Sequence, residues 1–180
     1  MYCKLLFRDE MVIKPKPLII IFTLCTFAYL AIQCGVLINI TPSMKRGVYI
    51  KSSNEIERGS IISLCIDEPY KQQGLTSQYI QKGPQCHGAY PLIKEVVAVP
   101  GDDVKLQDHY FAVNGKAFFY DTQHQDSKGR SITIFPRGNY PNTKGYWVIG
   151  TNAKNSWDSR YWGPVDKKQI INNLKPLLTW

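Results

Sequence analysis

The sequence predicts a mainly β domain carried behind one N-terminal transmembrane helix. Three observations point there. Leu18 to Ile38 is a run of 21 residues without a charge. Beyond it, segments rich in Val, Ile, Tyr and Trp are short and are separated by Gly, Pro and Asn, which is the pattern of strands and turns. Asn114-Gly115, between two such segments, is a two-residue hairpin signal.

The apolar run comes first. At about 1.5 Å per residue it makes roughly 31 Å of helix, close to the hydrocarbon thickness of a bilayer. Gln33 is its one strongly polar side chain, and Pro15 and Pro17 suit a helix entrance. Ahead of it Lys4, Arg8, Lys14 and Lys16 outnumber Asp9 and Glu10, which places the preceding segment in the cytoplasm and the remainder outside. The expected division is a cytoplasmic segment over 1–17, a transmembrane helix over 18–40 and an external domain over 41–180. A cleavable signal peptide is the rival reading; Asn39-Ile40-Thr41 is a poor small-x-small cleavage site for it. A lipid anchor at Cys34 fits badly, because Gln33 stands where a small residue is expected.

Strands follow in order. Val48–Lys51 and Ser60–Ile66 are β-branched and aromatic. Glu68 to Gly88 is polar and glycine-bearing, so it reads as a loop with one helical turn near Thr76–Ile80. Leu92–Val99 is the strongest strand and ends in the turn Pro100-Gly101-Asp102-Asp103. Val104–Leu106, Tyr110–Val113 and Lys116–Tyr120 flank the hairpin signal, Thr122–Arg130 is a polar loop, and Tyr146–Ile149 is a short strand. Ile170–Trp180 is a last strand that Pro176 restricts to an edge or a bulge.

Charge narrows the partners. The net charge is +8, and the external part carries 18 Lys and Arg against 12 Asp and Glu, dispersed along it. Nucleic acid wants a clustered basic stripe, so no nucleic-acid partner is expected; a solvated surface facing anionic lipid is. Of the five cysteines, Cys65 and Cys86 fall outside the membrane, where an even pair suggests a disulfide. Two free buried thiols are the alternative.

The chemistry starts from Ser43, in the proline-flanked turn Thr41-Pro42-Ser43-Met44-Lys45-Arg46-Gly47 just beyond the apolar run. A serine hydroxyl needs a base. His87, His109 and His124 lie in loop-like sequence with no triad context. A lysine serves instead if burial removes its charge. Lys94 interrupts an apolar strand and shares a face with Leu92, Val96 and Ala98. Period alone leaves it an outward lysine on a half-exposed strand.

Three boxes, in order, settle the preference. Thr41-Pro42-Ser43-Met44, then Lys94-Glu95-Val96-Val97-Ala98-Val99-Pro100-Gly101-Asp102, then Asn155-Ser156-Trp157-Asp158-Ser159-Arg160-Tyr161-Trp162-Gly163 resemble the bacterial type I signal peptidase family. The Arg46-Gly47-Val48-Tyr49 run, the Cys65 and Cys86 pair and the absence of a large second domain resemble its TraF-type conjugative-transfer subgroup. The resemblance implies a signal-peptidase-like antiparallel β catalytic domain. It implies Ser43 as nucleophile and Lys94 as general base, with Thr41 completing an oxyanion hole beside the Ser43 N–H. Ser156 would orient the lysine, and Asp158 and Arg160 would support the site as a charged pair. Taken from the residues alone, that pair is equally an exposed ion pair of small energy. Met44 and Val97 are expected to line a groove for small side chains.

Two departures stand out. The last box opens Gly150-Thr151-Asn152-Ala153-Lys154 where the family has Gly-Asp-Asn and a further Arg-Asp, and Lys45 replaces a common proline beside the nucleophile. The implied function is that of a serine endopeptidase, without cofactor or metal, in a bacterial inner membrane. It would face the periplasm and cut signal peptides or mature a conjugative pilin precursor, with or without cyclisation. Its expected partners are the precursor protein, the lipid bilayer and components of a type IV secretion or conjugation system. A general housekeeping signal peptidase and a non-catalytic scaffold of a conjugation or secretion complex are the alternatives. A soluble self-cleaving regulator fits the apolar run poorly.

Overall fold

A computed structural model of the chain describes residues 15–33, 35–118 and 121–180. It divides into two units, Met1–Gly35 and Val36–Trp180. In the first, Pro15–Gln33 form helix α1, with Leu18, Ile19, Ile20, Ile21, Phe22 and Leu24 exposed. Most of the expected cytoplasmic segment lies outside the described residues. The helix expected over 18–40 is corrected at its far end: α1 stops at Gln33, and Val36–Asn39 form strand β1. Gly35, at φ 78°, turns the chain out of the helical path. Val36 and Ile38 then favour extended backbone, where β1 gains a ladder against β2, Gly47–Ser52. Among the described residues, no helix is long and apolar enough to cross a membrane.

The second unit is built on a six-stranded sheet with β3 (Ile61–Leu64), β4 (Leu92–Ala98), β9 (Trp147–Ile149) and β10 (Ile170–Thr179), in the order β1-β2-β10-β3-β4-β9. Every pairing in it is antiparallel. A four-stranded sheet of β5 (Val104–Leu106), β6 (Phe111–Val113), β7 (Lys116–Phe118) and β8 (Gly138–Tyr140) runs β7-β6-β5-β8. Asn114 and Gly115 take left-handed φ at the β6–β7 turn, as the hairpin signal requires. The mainly antiparallel β reading therefore holds.

Three cores fix the sheets. Ile62, Leu64, Val96 and Val148 pack under Trp157, Tyr161 and Trp162. Ala98, Trp147 and Ile149 close against Val104, Leu106 and Phe111 of the second sheet. Met44, Tyr49, Ile93 and Leu174 form the third. Each fully buried aliphatic side chain contributes about 1.5–3 kcal/mol.

Details of the sequence reading change. β10 lies inside the sheet, between β2 and β3, so of the edge or bulge that Pro176 allows the structure takes the bulge. Pro176, which has no N–H to give, is accommodated by a register shift between Pro176 and Leu178. The helical turn expected near Thr76–Ile80 is instead helix α2, Tyr70–Ser77, ended by Gln78 in the left-handed region. Gly74 weakens that helix intrinsically, yet its bare Cα lets Trp157 and Ile80 approach; an added Cβ would lie 2.8 Å from the indole. Packing there outweighs propensity. Two residues at the end of the expected strand Lys116–Tyr120 lie outside the described residues.

Cys65 and Cys86 are disulfide-bonded, with 21 residues of separation, and tie together the ends of the α2 excursion. Replacing both with serine is expected to lower stability by about 3 kcal/mol through the freed loop entropy. Guanidinium unfolding of the two proteins, both oxidised, measures it.

Candidate active site

Lys94 sits in the middle of β4, on the face that is covered. Its side chain is 2% exposed, opposite Ile62 of β3 and on the face that also buries Val96 and Ala98. The outward-lysine reading is thus overturned, because the Trp157 cluster roofs that face. Its amine donates to the Ser156 hydroxyl at 2.9 Å. Burial lowers its pKa from 10.5 to about 8; the Asp158 carboxylate opposes that fall and the Arg160 guanidinium adds to it.

Ser43 lies in the turn between β1 and β2. Its carbonyl accepts from the Asn152 N–H at 3.0 Å, and the Asn152 side chain donates to the Pro42 carbonyl at 2.9 Å. Gly150 joins this turn to the lysine. The register pairs Glu95 with Ile149 and Val96 with Val148; one step further places Gly150 across from Lys94. A Cβ at Gly150 would stand 2.1 Å from the Ser156 hydroxyl and 2.9 Å from the Ser43 carbonyl. The Ser43 backbone, Ser156 and the Lys94 amine therefore converge on one bare Cα. No hydrogen bond joins the Ser43 hydroxyl to Lys94 among the described residues, and such contacts tighten when substrate binds.

Asp158 and Arg160 are fully buried, which corrects the exposed-pair reading. The carboxylate takes both Nε and Nη2 of Arg160, at 2.8 and 2.9 Å, in the bidentate fork that suits a guanidinium. It also accepts the Gly150 N–H at 3.0 Å and caps α3, Ser159–Trp162, through the Arg160 N–H. Arg160 continues to the carbonyls of Ser156 at 2.9 Å and Asp121 at 2.8 Å. The pair thus frames Ser156 and Gly150 from behind.

Thr41 is exposed, and its hydroxyl donates to Asn39 at 2.7 Å. The expected groove does not form as read. Met44 is buried in the third core, while Val97 lines a separate surface cleft with Arg58, Glu95 and Phe118. His109 and His124 face Asp121 and Asp108 at the surface, and His87 is exposed. Sequence reading missed Gly150 and Asn39 as parts of the site. Gly150 had a signal, as the first residue of the third box; Asn39 had none. Asp102, in the second box, is buried where β4 ends. Its pKa is held down at about 2 by Arg58 and by the Val99 N–H and Asn114, against the cost of burial. Among the described residues, no group of His, Cys, Asp and Glu is placed to hold a metal.

Arg160→Met leaves the Asp158 carboxylate buried without its partner. This is expected to cost about 3–5 kcal/mol, far beyond a surface pair, and denaturant unfolding of the variant against the native chain reads it.

Residues 12–179 match the family described as signal peptidase, peptidase S26. The chain is similar to a plasmid transfer protein TraF of Escherichia coli, 32% identical over 161 residues that cover 85% of this chain and 86% of that protein. It is also similar to the conjugal transfer protein TraF of Agrobacterium fabrum (strain C58), 28% identical with 81% and 84% covered. Signal peptidase I V of Bacillus subtilis is 33% identical over 90 residues, covering 44% of this chain and 53% of that protein. The buried lysine beside a serine, reached through boxes in the same order, is thus carried by a chain that belongs to the signal peptidase, peptidase S26 family.

Proposed function

We propose that this chain is a membrane-attached serine endopeptidase in which Ser43 is the nucleophile and Lys94 the general base. The observation that carries the reading is the Lys94 amine: buried, lowered to a pKa of about 8, and bonded to Ser156 beside the glycine that also meets the Ser43 backbone. The Ser43 oxygen attacks the scissile carbonyl as its proton passes to the lysine amine. The lysine then returns that proton to the leaving amine. The Ser43 N–H faces the developing oxyanion, a donor worth about 3 kcal/mol in the transition state. Water resolves the acyl-enzyme, or the substrate's own amine does, giving a cyclic product.

Similarity over more than four-fifths of the TraF proteins' length, against about half of the Bacillus enzyme's, favours a conjugation precursor, such as a pilin, over general secreted preproteins. Two observations support attachment to a bacterial inner membrane. Apolar side chains of α1 are exposed. On the face of the main sheet opposite Tyr49, Ile38, Val48 and Leu178 pair across β1, β2 and β10, and Ile38 and Leu178 are exposed. Residues 36–54 and 167–180 hold Lys45, Arg46, Lys51, Lys167, Lys168 and Lys175 and no acid, a charge that suits anionic headgroups.

Ser43→Ala and Lys94→Ala are each expected to leave a co-expressed pilin precursor uncut. Processing by both variants removes the dyad. A mature product lighter by one water marks cyclisation. The cleavage rate should rise with pH and level off above about 8, because only the neutral amine takes a proton; at pH 7 about a tenth of it is neutral. The same group makes the native fold more stable as pH rises from about 8 to 10.5, because the unfolded chain keeps that proton longer. Lys94→Met should abolish that rise in unfolding measurements. The full chain should stay with the membrane fraction through a carbonate wash; recovery in the soluble fraction removes the attachment.

A further inference from the structure

Asn39 ends β1 and is 3% exposed. Its Nδ2 donates towards the carbonyls of Thr41 at 3.1 Å, Met44 at 3.1 Å and Lys45 at 3.0 Å. Its Oδ1 accepts the Thr41 N–H at 3.0 Å and the Thr41 hydroxyl at 2.7 Å. The amide orientation follows from the partners: a flipped amide would set its oxygen against three carbonyls. Two amide protons are shared among three acceptors, so the side chain is saturated. All its partners lie in 41–45, on either side of Ser43.

Asn152 supplies the other half. It holds the Pro42 carbonyl by its side chain and the Ser43 carbonyl by its N–H. Five consecutive carbonyls, from Thr41 to Lys45, each accept a hydrogen bond from one of two asparagines. The Tyr49 hydroxyl adds a second to Lys45, at 2.6 Å. The Lys45 carbonyl thus takes two of the hydrogen bonds that hold the turn, so side chains from outside the turn stiffen it.

We propose that Asn39 is a positioning residue for catalysis: with Asn152 it clamps the backbone on both sides of Ser43, sets where that hydroxyl stands, and holds the proton of the Thr41 hydroxyl in the free enzyme. The proposal rests on Ser43 being the nucleophile. Reacting groups displaced by about 1 Å lose on the order of 100-fold in rate, and the clamp acts on orientation, not on substrate affinity.

The test uses the full chain. Asn39→Ala removes the clamp. Asn39→Asp keeps the acceptor for Thr41 but faces three carbonyls with an oxygen. Both are expected to lower kcat by about 100-fold on a precursor peptide with alanine before the scissile bond, with KM within about threefold. Lys45→Pro, added to Asn39→Ala, is expected to recover part of that loss, since among the described residues the Lys45 N–H donates no hydrogen bond that proline would remove. Hydrogen exchange across 40–47 is expected to quicken in Asn39→Ala while β9 stays protected. The proposal is overturned by unchanged exchange in 40–47, by exchange raised equally in β9, or by an unchanged kcat. If the native chain cuts the peptide no faster than Ser43→Ala, the peptidase reading fails, and the exchange measurement still decides whether Asn39 holds the turn.

Discussion

The fork between Asp158 and Arg160 is the contact on which the site depends. One carboxylate, without solvent exposure, takes two guanidinium nitrogens, the Gly150 N–H and the first turn of α3. It therefore ties the end of β9 to the segment that carries Ser156. The hydroxyl of Ser156 is held by its own backbone, whose carbonyl Arg160 grips, and that hydroxyl receives the lysine amine. A buried pair is costly to assemble and costlier to break. The chain accepts the cost where it fixes the geometry of a weaker, functional contact.

Lys94 is a second group held against a cost. A lysine on the buried face of a strand holds no favourable place on hydrophobic grounds. Desolvation, the largest influence on it, opposes its charge, and the neighbouring carboxylate restores only part of what burial removes. Its pKa, lowered to about 8, comes much closer to neutral pH than that of an exposed lysine. Gly150 makes room for this arrangement, because any side chain there would fill the space in which the Ser156 hydroxyl lies.

Much of this was legible before the structure, for identifiable reasons. Strands β2, β3, β4, β5, β6 and β9 announced themselves through β-branched and aromatic runs bounded by Gly, Pro and Asn. The boxes around Ser43, Lys94 and Ser156 carry the resemblance directly. What stayed hidden depends on long-range contact. Val36–Asn39 is as apolar as the helix before it, so composition could not separate a strand from the end of a span; pairing with β2 decides it. The burial of Lys94 depends on Trp157, 63 positions away in sequence. β8 is Gly138-Asn139-Tyr140, without a β-branched residue to mark it as a strand. Asn39 fell inside the helix expected over 18–40, and nothing marked its role, because its partners are mostly backbone carbonyls, which have no sequence signature.

The placement of β10 bears on how the two halves of the main sheet are joined. β2, which follows the nucleophile turn, and β3, which pairs with the lysine strand, do not touch as neighbours; β10 lies between them and pairs with both. It also follows the other described strands along the chain. Until it inserts, the halves of the sheet bearing Ser43 and Lys94 share no ladder. The turn that carries Ser43 and the strand that carries Lys94 are thus joined through a strand distant from both in sequence, and their alignment is a property of the completed sheet.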